Sequence, residues 1–340
     1  MAAVKTTAQW IRDRRVLIVA PAFQPWDLGG YLAAIFTRKG ARVETFDYAR
    51  HVERAELQRD LLAACRRLKP TLVIGLKLDA VDAATLESIR SMGATVALWY
   101  VDCLAPTPPE WIVPLVRASD IFFTSAKGML PAYSAIAETP AHWLVEGVHL
   151  PSFRRVPARG VDRRLFGSQI AFIGSVLHGA DAKQRARLFR RVGRDYPLTI
   201  WGRQQHSVAA LTADRRCRVV EWPAYNQDVV RICQSSDIVL GINTINSVEL
   251  YFSNRTFLTL AAGGFHLTHY VPKLETLFDN HRHLVWYHST RECLELIEHY
   301  VKRPRARRAI ARQGQALVRS RDSMSTQVNR MLSLIQSLHG

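Results

Sequence analysis

The stretch from Tyr251 to Phe278, YFSNRTFLTLAAGGFHLTHYVPKLETLF, holds the residues whose types and spacing are best suited to chemistry. Ser253, Asn254 and Arg255 stand where a helix would begin, so backbone N–H groups, the positive helix end and a guanidinium converge on one anion. Phe257, Leu258, Leu260, Ala261 and Ala262 make that helix apolar, Gly263 and Gly264 end it, and Phe265 to Thr268 reads as the next strand. A diphosphate is the ligand this order suits.

Further candidates stand just after apolar runs, because ligands of open parallel sheets lie beyond the carboxyl ends of strands. Gly29 and Gly30 follow the run Val16–Ala20 and allow close backbone approach to a ligand phosphate or acceptor, or simply a tight turn. Asp102 ends the run Thr95–Val101 and puts a carboxylate at the crevice edge, either as a general base or as a helix cap. Gly174 and Ser175 follow Ile170–Ile173 and offer N–H groups to a distal phosphate or sugar. Arg203, after Trp201 and Gly202, adds a second cation or is an exposed loop arginine. Tyr225, with Glu221 and Trp222, follows Arg218–Val220 and offers an aromatic face, or joins the core. Asn243 and Asn246 follow Ile238–Ile242. His266, His269, His281, His283 and His288 fit no recognised ligand spacing, so no metal site is expected from them.

The elements that must position these residues alternate. Short apolar runs at 15–20, 42–46, 71–76, 95–101 and 121–124 read as buried strands, with helical patterns between them at 30–39, 53–68, 83–92 and 111–117. Repeated strand–helix–strand units imply a parallel sheet covered on both faces. The prolines and charges of 151–157 break the rhythm. A second series then runs through strands at 170–173, 198–201, 218–220, 238–242, 265–268 and 284–287, with helices at 182–192, 226–233 and 290–301. The expected fold is α/β, with two doubly wound domains. Residues 1–150 form the first, 151–167 a linker and 168–322 the second. Residues 323–340 form a last helix packing back on the first domain, with an apolar stripe of Val328, Met331, Leu332, Ile335 and Leu338.

A chain of 340 residues, 48% of them hydrophobic, can bury two such cores. No apolar run approaches the roughly 18 residues of a membrane span. The opening MAAVKTTAQWIRDRR lacks the apolar core of a secretion signal and reads as a lead-in to the first strand. Five cysteines, with no paired metal spacing, read as reduced and buried thiols. These features place the protein in the cytoplasm, with peripheral contact at a membrane surface as a variant. The formal charge is +17, concentrated at Lys183–Arg194 and Lys302–Arg321, which carry six and eight basic residues and no acidic one. Solvated arginine-rich faces explain such runs, and so does a polyanionic partner, whether nucleic acid, anionic glycan or membrane.

The chain resembles the CgeB-like glycosyltransferases (spore maturation protein CgeB type), relatives of the retaining glycosyltransferase family 4. Arg255-Thr256-Phe257 before Ala262-Gly263 and a strand carries the likeness. So do Val16 to Ala20 with Gly29-Gly30, Lys69-Pro70, Trp99 to Asp102, Ile170 to Ser175, Trp201-Gly202-Arg203, Leu294 to Ile297 and Ile310-Ala311 with Gly314, all in the family's order. Leu258 stands where the family usually has the Glu that holds the donor ribose, and Glu249 lies near the first of the family 4 glutamate pair.

The resemblance implies GT-B architecture, two Rossmann-like domains facing one cleft. It implies sugar transfer from a nucleotide-diphosphate donor to an acceptor hydroxyl, with no cofactor besides that co-substrate and no required metal. The second domain would hold the donor through Gly174, Ser175, Arg203, Tyr225, Asn243, Ser253, Asn254 and Arg255. The first would present the acceptor, with Asp102 catalytic and Gly29 and Gly30 in the acceptor or phosphate loop. Modified DNA, an anionic cell-surface glycan and a lipid-linked acceptor stay open. So do nucleotide-sugar epimerisation and a catalytically silent nucleotide- or polyanion-binding role.

Overall fold

The computed structural model describes residues 6–24, 26–154, 156–157, 163–176, 182–202 and 216–339. The chain forms two compact units, Met1–Glu146 together with Ser325–Gly340, and Gly147–Met324.

The first unit is built on a six-stranded sheet: β1 (Arg15–Ala20), β2 (Arg42–Asp47), β3 (Leu72–Leu76), β4 (Thr95–Tyr100), β5 (Ile121–Thr124) and β6 (Ala141–Trp143). Its order is β2-β1-β3-β4-β5-β6 and every pairing is parallel. Registers such as Val16 to Leu72 and Leu72 to Thr95 align the apolar runs side by side. Helices cover both faces, so the central strands are buried throughout, which is why they read as continuous Val, Ile and Leu runs.

The lead-in is not mere approach. Thr6 accepts the Gln9 N–H while the Gln9 side chain accepts the Thr6 N–H at 3.0 Å, a reciprocal cap that starts the helix Thr7–Arg12. The helix Leu130–Ile136 and the strand β6 are further elements outside those read from the sequence. At three residues, each only half-buried, β6 is too short for a periodicity.

The second unit carries β7 (Ile170–Ile173), β8 (Leu198–Trp201), β9 (Cys217–Val220), β10 (Ile238–Gly241), β11 (His266–His269) and β12 (Val285–Tyr287). They form an all-parallel sheet in the order β12-β11-β10-β7-β8-β9. The chain moves outward from β7 to β9, returns beside β7 as β10, and moves outward the other way. That reversal creates a switch point between β7 and β10, where an open sheet leaves a crevice beyond its carboxyl ends. In the first unit the switch lies between β1 and β3.

The final helix, Met324–Gln336, falls almost wholly within the first unit. Val328, Met331, Leu332 and Ile335 are fully buried, each contributing roughly 1.5 to 3 kcal/mol by area. Leu338 lies past the helix and is exposed, so the stripe ends one turn early. The helix is held by Lys39 bonding Asn329, by Thr7 bonding Gln336 at 3.0 Å, and by the Arg330 guanidinium 5.8 Å from the Trp143 ring. No helix among the described residues is long and apolar enough to cross a membrane.

The basic runs are not wholly solvated faces. Arg185, on the helix Ala182–Asp195, is completely buried, with its Nε donating to the Val176 carbonyl at 3.1 Å. Arg307, on the helix Pro304–Arg321, is 7% exposed and paired with Asp237.

Candidate functional site

At the switch point of the second unit the chain leaves β7 through Gly174, at φ +135°, and leaves β8 through Gly202, at φ +148°. Both angles suit glycine, and the two backbones touch: a Cβ on Gly202 would lie 2.9 Å from the Gly174 carbonyl oxygen. Over Gly174 lies the guanidinium of Arg255, first residue of the helix Arg255–Ala261. Its Nη1 donates to the Ile173 carbonyl at 3.1 Å, and its carbon stands 5.3 Å from the Phe172 ring centre.

Burial, together with the neighbouring charge of Arg185 and against the pull of Tyr251, lowers the Arg255 pKa to about 10, so the group stays cationic at neutral pH. No carboxylate among the described residues pairs with it. A partly buried guanidinium beside a second one calls for an anion.

The loop preceding that helix is locked by its own side chains. The Asn243 Oδ1 accepts the Ser253 N–H at 2.8 Å, and the Asn246 Oδ1 accepts the Asn243 N–H and Nδ2, each at 3.1 Å. The Ser253 Oγ accepts the Arg255 N–H at 3.4 Å, and the Ser253 carbonyl accepts the Thr256 N–H at 3.0 Å. The expected ring of open N–H groups is therefore largely used within the loop, because asparagine and serine side chains compete for those donors. The charge of Arg255, rather than the end of a seven-residue helix, is what the site offers an anion. The Asn254 Oδ1 is buried with no hydrogen-bond partner among the described residues, an acceptor for a ligand hydroxyl or N–H and not for the anion itself.

Beside Arg255 a cavity of about 10 Å³ has room for roughly one water, too little for a nucleotide. Ser175 follows Gly174 and is partly buried. Tyr225 and Trp222 are exposed, by 41% and 60%, in the segment between β9 and the helix Gln227–Ser235. The Trp222 Nε1 donates to Asp228 at 3.3 Å. Arg203 lies outside the described residues.

His266 is buried below Arg255, with its Nε2 3.3 Å from the Thr256 Oγ1 and its Nδ1 3.1 Å from the Val239 carbonyl. Burial, aided by Arg255 and opposed by the Val239 contact, lowers its pKa to about 4, so the ring is neutral. No group of His, Cys, Asp and Glu among the described residues is placed to hold a metal. The five cysteines are free thiols, four of them buried.

In the first unit, no helix begins at Asp102; its carboxylate pairs with the Lys77 ammonium. Lys77 and Leu78 leave β3 with φ of +64°, a conformation non-glycine residues rarely hold and one associated with functional sites. Burial alone would lower the Lys77 pKa, but Asp102, Asp79 and Glu146 together raise it. Glu146 is the residue that sequence reasoning missed. Burial first, then the charge of Asp102, push its carboxyl to about 7 against the pull of Lys77. It follows β6, whose three half-buried residues carry no periodic pattern to mark the position after them. Tyr100, at the end of β4, faces Asp79 and packs with its ring tilted 56° against Trp111, centroids 5.8 Å apart, and Trp111 is 44% exposed.

Gly29 and Gly30 belong to the first turn of the helix Leu28–Arg38. Cβ atoms there would lie 2.5 Å from the Ala22 carbonyl oxygen and 2.3 Å from that of Gln24. The chain itself takes the space these glycines leave, so packing explains them without a ligand.

Residues 183–333 match the family described as glycosyl transferase-like. No curated protein matches the chain. Among solved structures, the fold is similar to Anabaena Alr3699/HepE in complex with UDP and glucose, at 12% identity and TM-score 0.69 over 95% of this chain and 100% of that one. It is similar to sucrose-phosphate synthase from Thermosynechococcus elongatus, at 11% identity and TM-score 0.71 over 96% and 99%. A glycosyltransferase from Rickettsia africae matches at 9% identity and TM-score 0.68 over 95% and 98%. The chain has the GT-B fold of such transferases.

Proposed function

We propose that the protein is a glycosyltransferase that moves a sugar from a nucleoside-diphosphate donor to an acceptor hydroxyl. The observation that carries this reading is Arg255, a cation at the β7–β10 switch point with no carboxylate partner among the described residues. Donor binding there is supported by the glycosyl transferase-like match, which spans this segment, and by the HepE structures, which hold UDP, glucose or UDP-glucose.

In this reading the bond between the anomeric carbon and the β-phosphate oxygen breaks, and its electron pair leaves with the nucleoside diphosphate. Arg255 stabilises the charge growing on that diphosphate, and Arg203 supplies a second cation, so the balance needs no metal ion. Asn254 accepts from a hydroxyl or N–H of the donor, Ser175 and the Gly174 backbone contact the sugar, and Tyr225 stacks on the base. The acceptor hydroxyl forms the new bond and gives its proton to Asp102, whose charge Lys77 holds in place.

A calorimetric panel of nucleoside diphosphates and their sugars tests donor binding. Affinity in the wild type that falls tenfold or more in Arg255→Ala supports the reading, and absence of binding by every nucleotide removes it. Conversion of a bound nucleotide sugar to its epimer without acceptor would mark an epimerase instead. Binding without turnover by any acceptor would mark a silent relative, for which Leu258 at the usual glutamate position is the residue to restore.

A further inference from the structure

At the opposite end of the second unit's sheet, before β10 and β11, lies a groove of about 520 Å³. It is lined by the helix Pro304–Arg321, the carboxyl end of the helix Gln227–Ser235 and the turn at Gly263. We propose that this groove is a second ligand site, specific for a small molecule carrying two or more phosphate groups, and separate from the place assigned to the donor.

Charge points to an anion. Among the described residues, Arg163, Arg307, Arg308 and Arg312 line the groove against one acidic residue, Asp237, and Arg307 already pairs with it. Arg308 and Arg312 project from successive turns of one helix face, exposed, and with Arg163 they form no ion pair with a described residue. Three guanidiniums around one hollow repel one another, and a multivalent anion relieves that repulsion while using their paired N–H donors.

Polar groups point to a ligand that enters rather than a surface that passes by. Ser235 and Ser236 line the groove, and the hydroxyl oxygens of both are buried without a hydrogen-bond partner among the described residues. Buried hydroxyls are ordinarily satisfied, and rotation about χ1 that turns either one into the groove gives it a phosphate oxygen as acceptor. The volume lies in the range of roughly 300 to 1,000 Å³ typical of small-molecule sites. A concave hollow of that size fits a metabolite with clustered phosphates better than the flat face of a membrane or a duplex.

Inorganic tripolyphosphate is the probe, titrated by calorimetry into the full chain. Binding is expected in the wild type and in Arg255→Ala, and at least tenfold weaker in Arg308→Ala/Arg312→Ala. A second variant, Ser235→Ala/Ser236→Ala, should lose affinity without losing thermal stability, since its hydroxyls have no folded-state partner to give up. Binding lost in Arg255→Ala yet kept in the arginine pair would move the ligand to the donor site and overturn the proposal. No binding by the wild type would also overturn it. So would groove-dependent binding of phosphatidylserine vesicles or duplex DNA without binding of tripolyphosphate, because the occupant would then be a surface or a polymer. Because Arg255→Ala is an arm of the experiment, failure of the donor assignment leaves this result readable.

Discussion

A Cβ placed on Gly174 would stand 1.7 Å from Nη1 of Arg255, a residue 81 positions further along the chain. The bare backbone of Gly174 is what lets the guanidinium reach the Ile173 carbonyl and lie across the end of β7. A glycine turn and a helix-start arginine therefore form one device.

Gly174→Ala is accordingly expected to weaken nucleoside diphosphate binding about as much as Arg255→Ala. A charge-assisted hydrogen bond contributes roughly 1.5 to 3 kcal/mol, so the loss should be at least tenfold. Calorimetry on both variants decides this, and full affinity in Gly174→Ala would show that the guanidinium binds equally well from another position.

Asp102→Asn separates two roles by magnitude. A positioned general base contributes about 100-fold to 10,000-fold in rate, whereas a half-exposed ion pair with Lys77 contributes about 1 kcal/mol of stability at most. A fall in turnover of at least 100-fold with donor affinity unchanged is expected. Near-normal turnover in a folded variant would remove Asp102 as the base and direct attention to Glu146.

Glu146 should leave a signature in stability against pH. Its folded pKa is raised from 4.5 to about 7, so the folded state keeps the proton longer than the unfolded chain does. Stability is thus lost as pH rises through that window, by an amount of order 3 kcal/mol once both states are ionised. Glu146→Gln should melt higher than the wild type at pH 8 and near it at pH 5. An equal difference at both values would mean that the carboxyl titrates normally.

Ile335, fully buried on the last helix, tests the return of that helix to the first unit. Ile335→Ala should cost about 2 to 5 kcal/mol in thermal or denaturant unfolding while leaving nucleotide affinity intact. A change under about 1 kcal/mol would mean that the helix contributes little to the unit.

Much of this architecture is local information. Runs such as Val16–Ala20 and Leu72–Leu76 read as central strands because parallel strands covered on both faces must be apolar at every position. Residues directly after such runs, Gly174, Asp102 and Asn243 among them, were identifiable as crevice candidates because their place follows from strand direction alone. Even the opening helix had its signal in the Thr6 to Gln9 cap, which a reading centred on apolar periodicity passes over. Charge and proximity were decided elsewhere. Whether Arg185 is buried while its helix neighbours are solvated, whether Asp102 meets Lys77 across two strands, and whether Glu146 lies against both depend on packing between distant segments. Local pattern sets which face a residue takes, but the field and the partner it meets there come from chain brought close only by the fold.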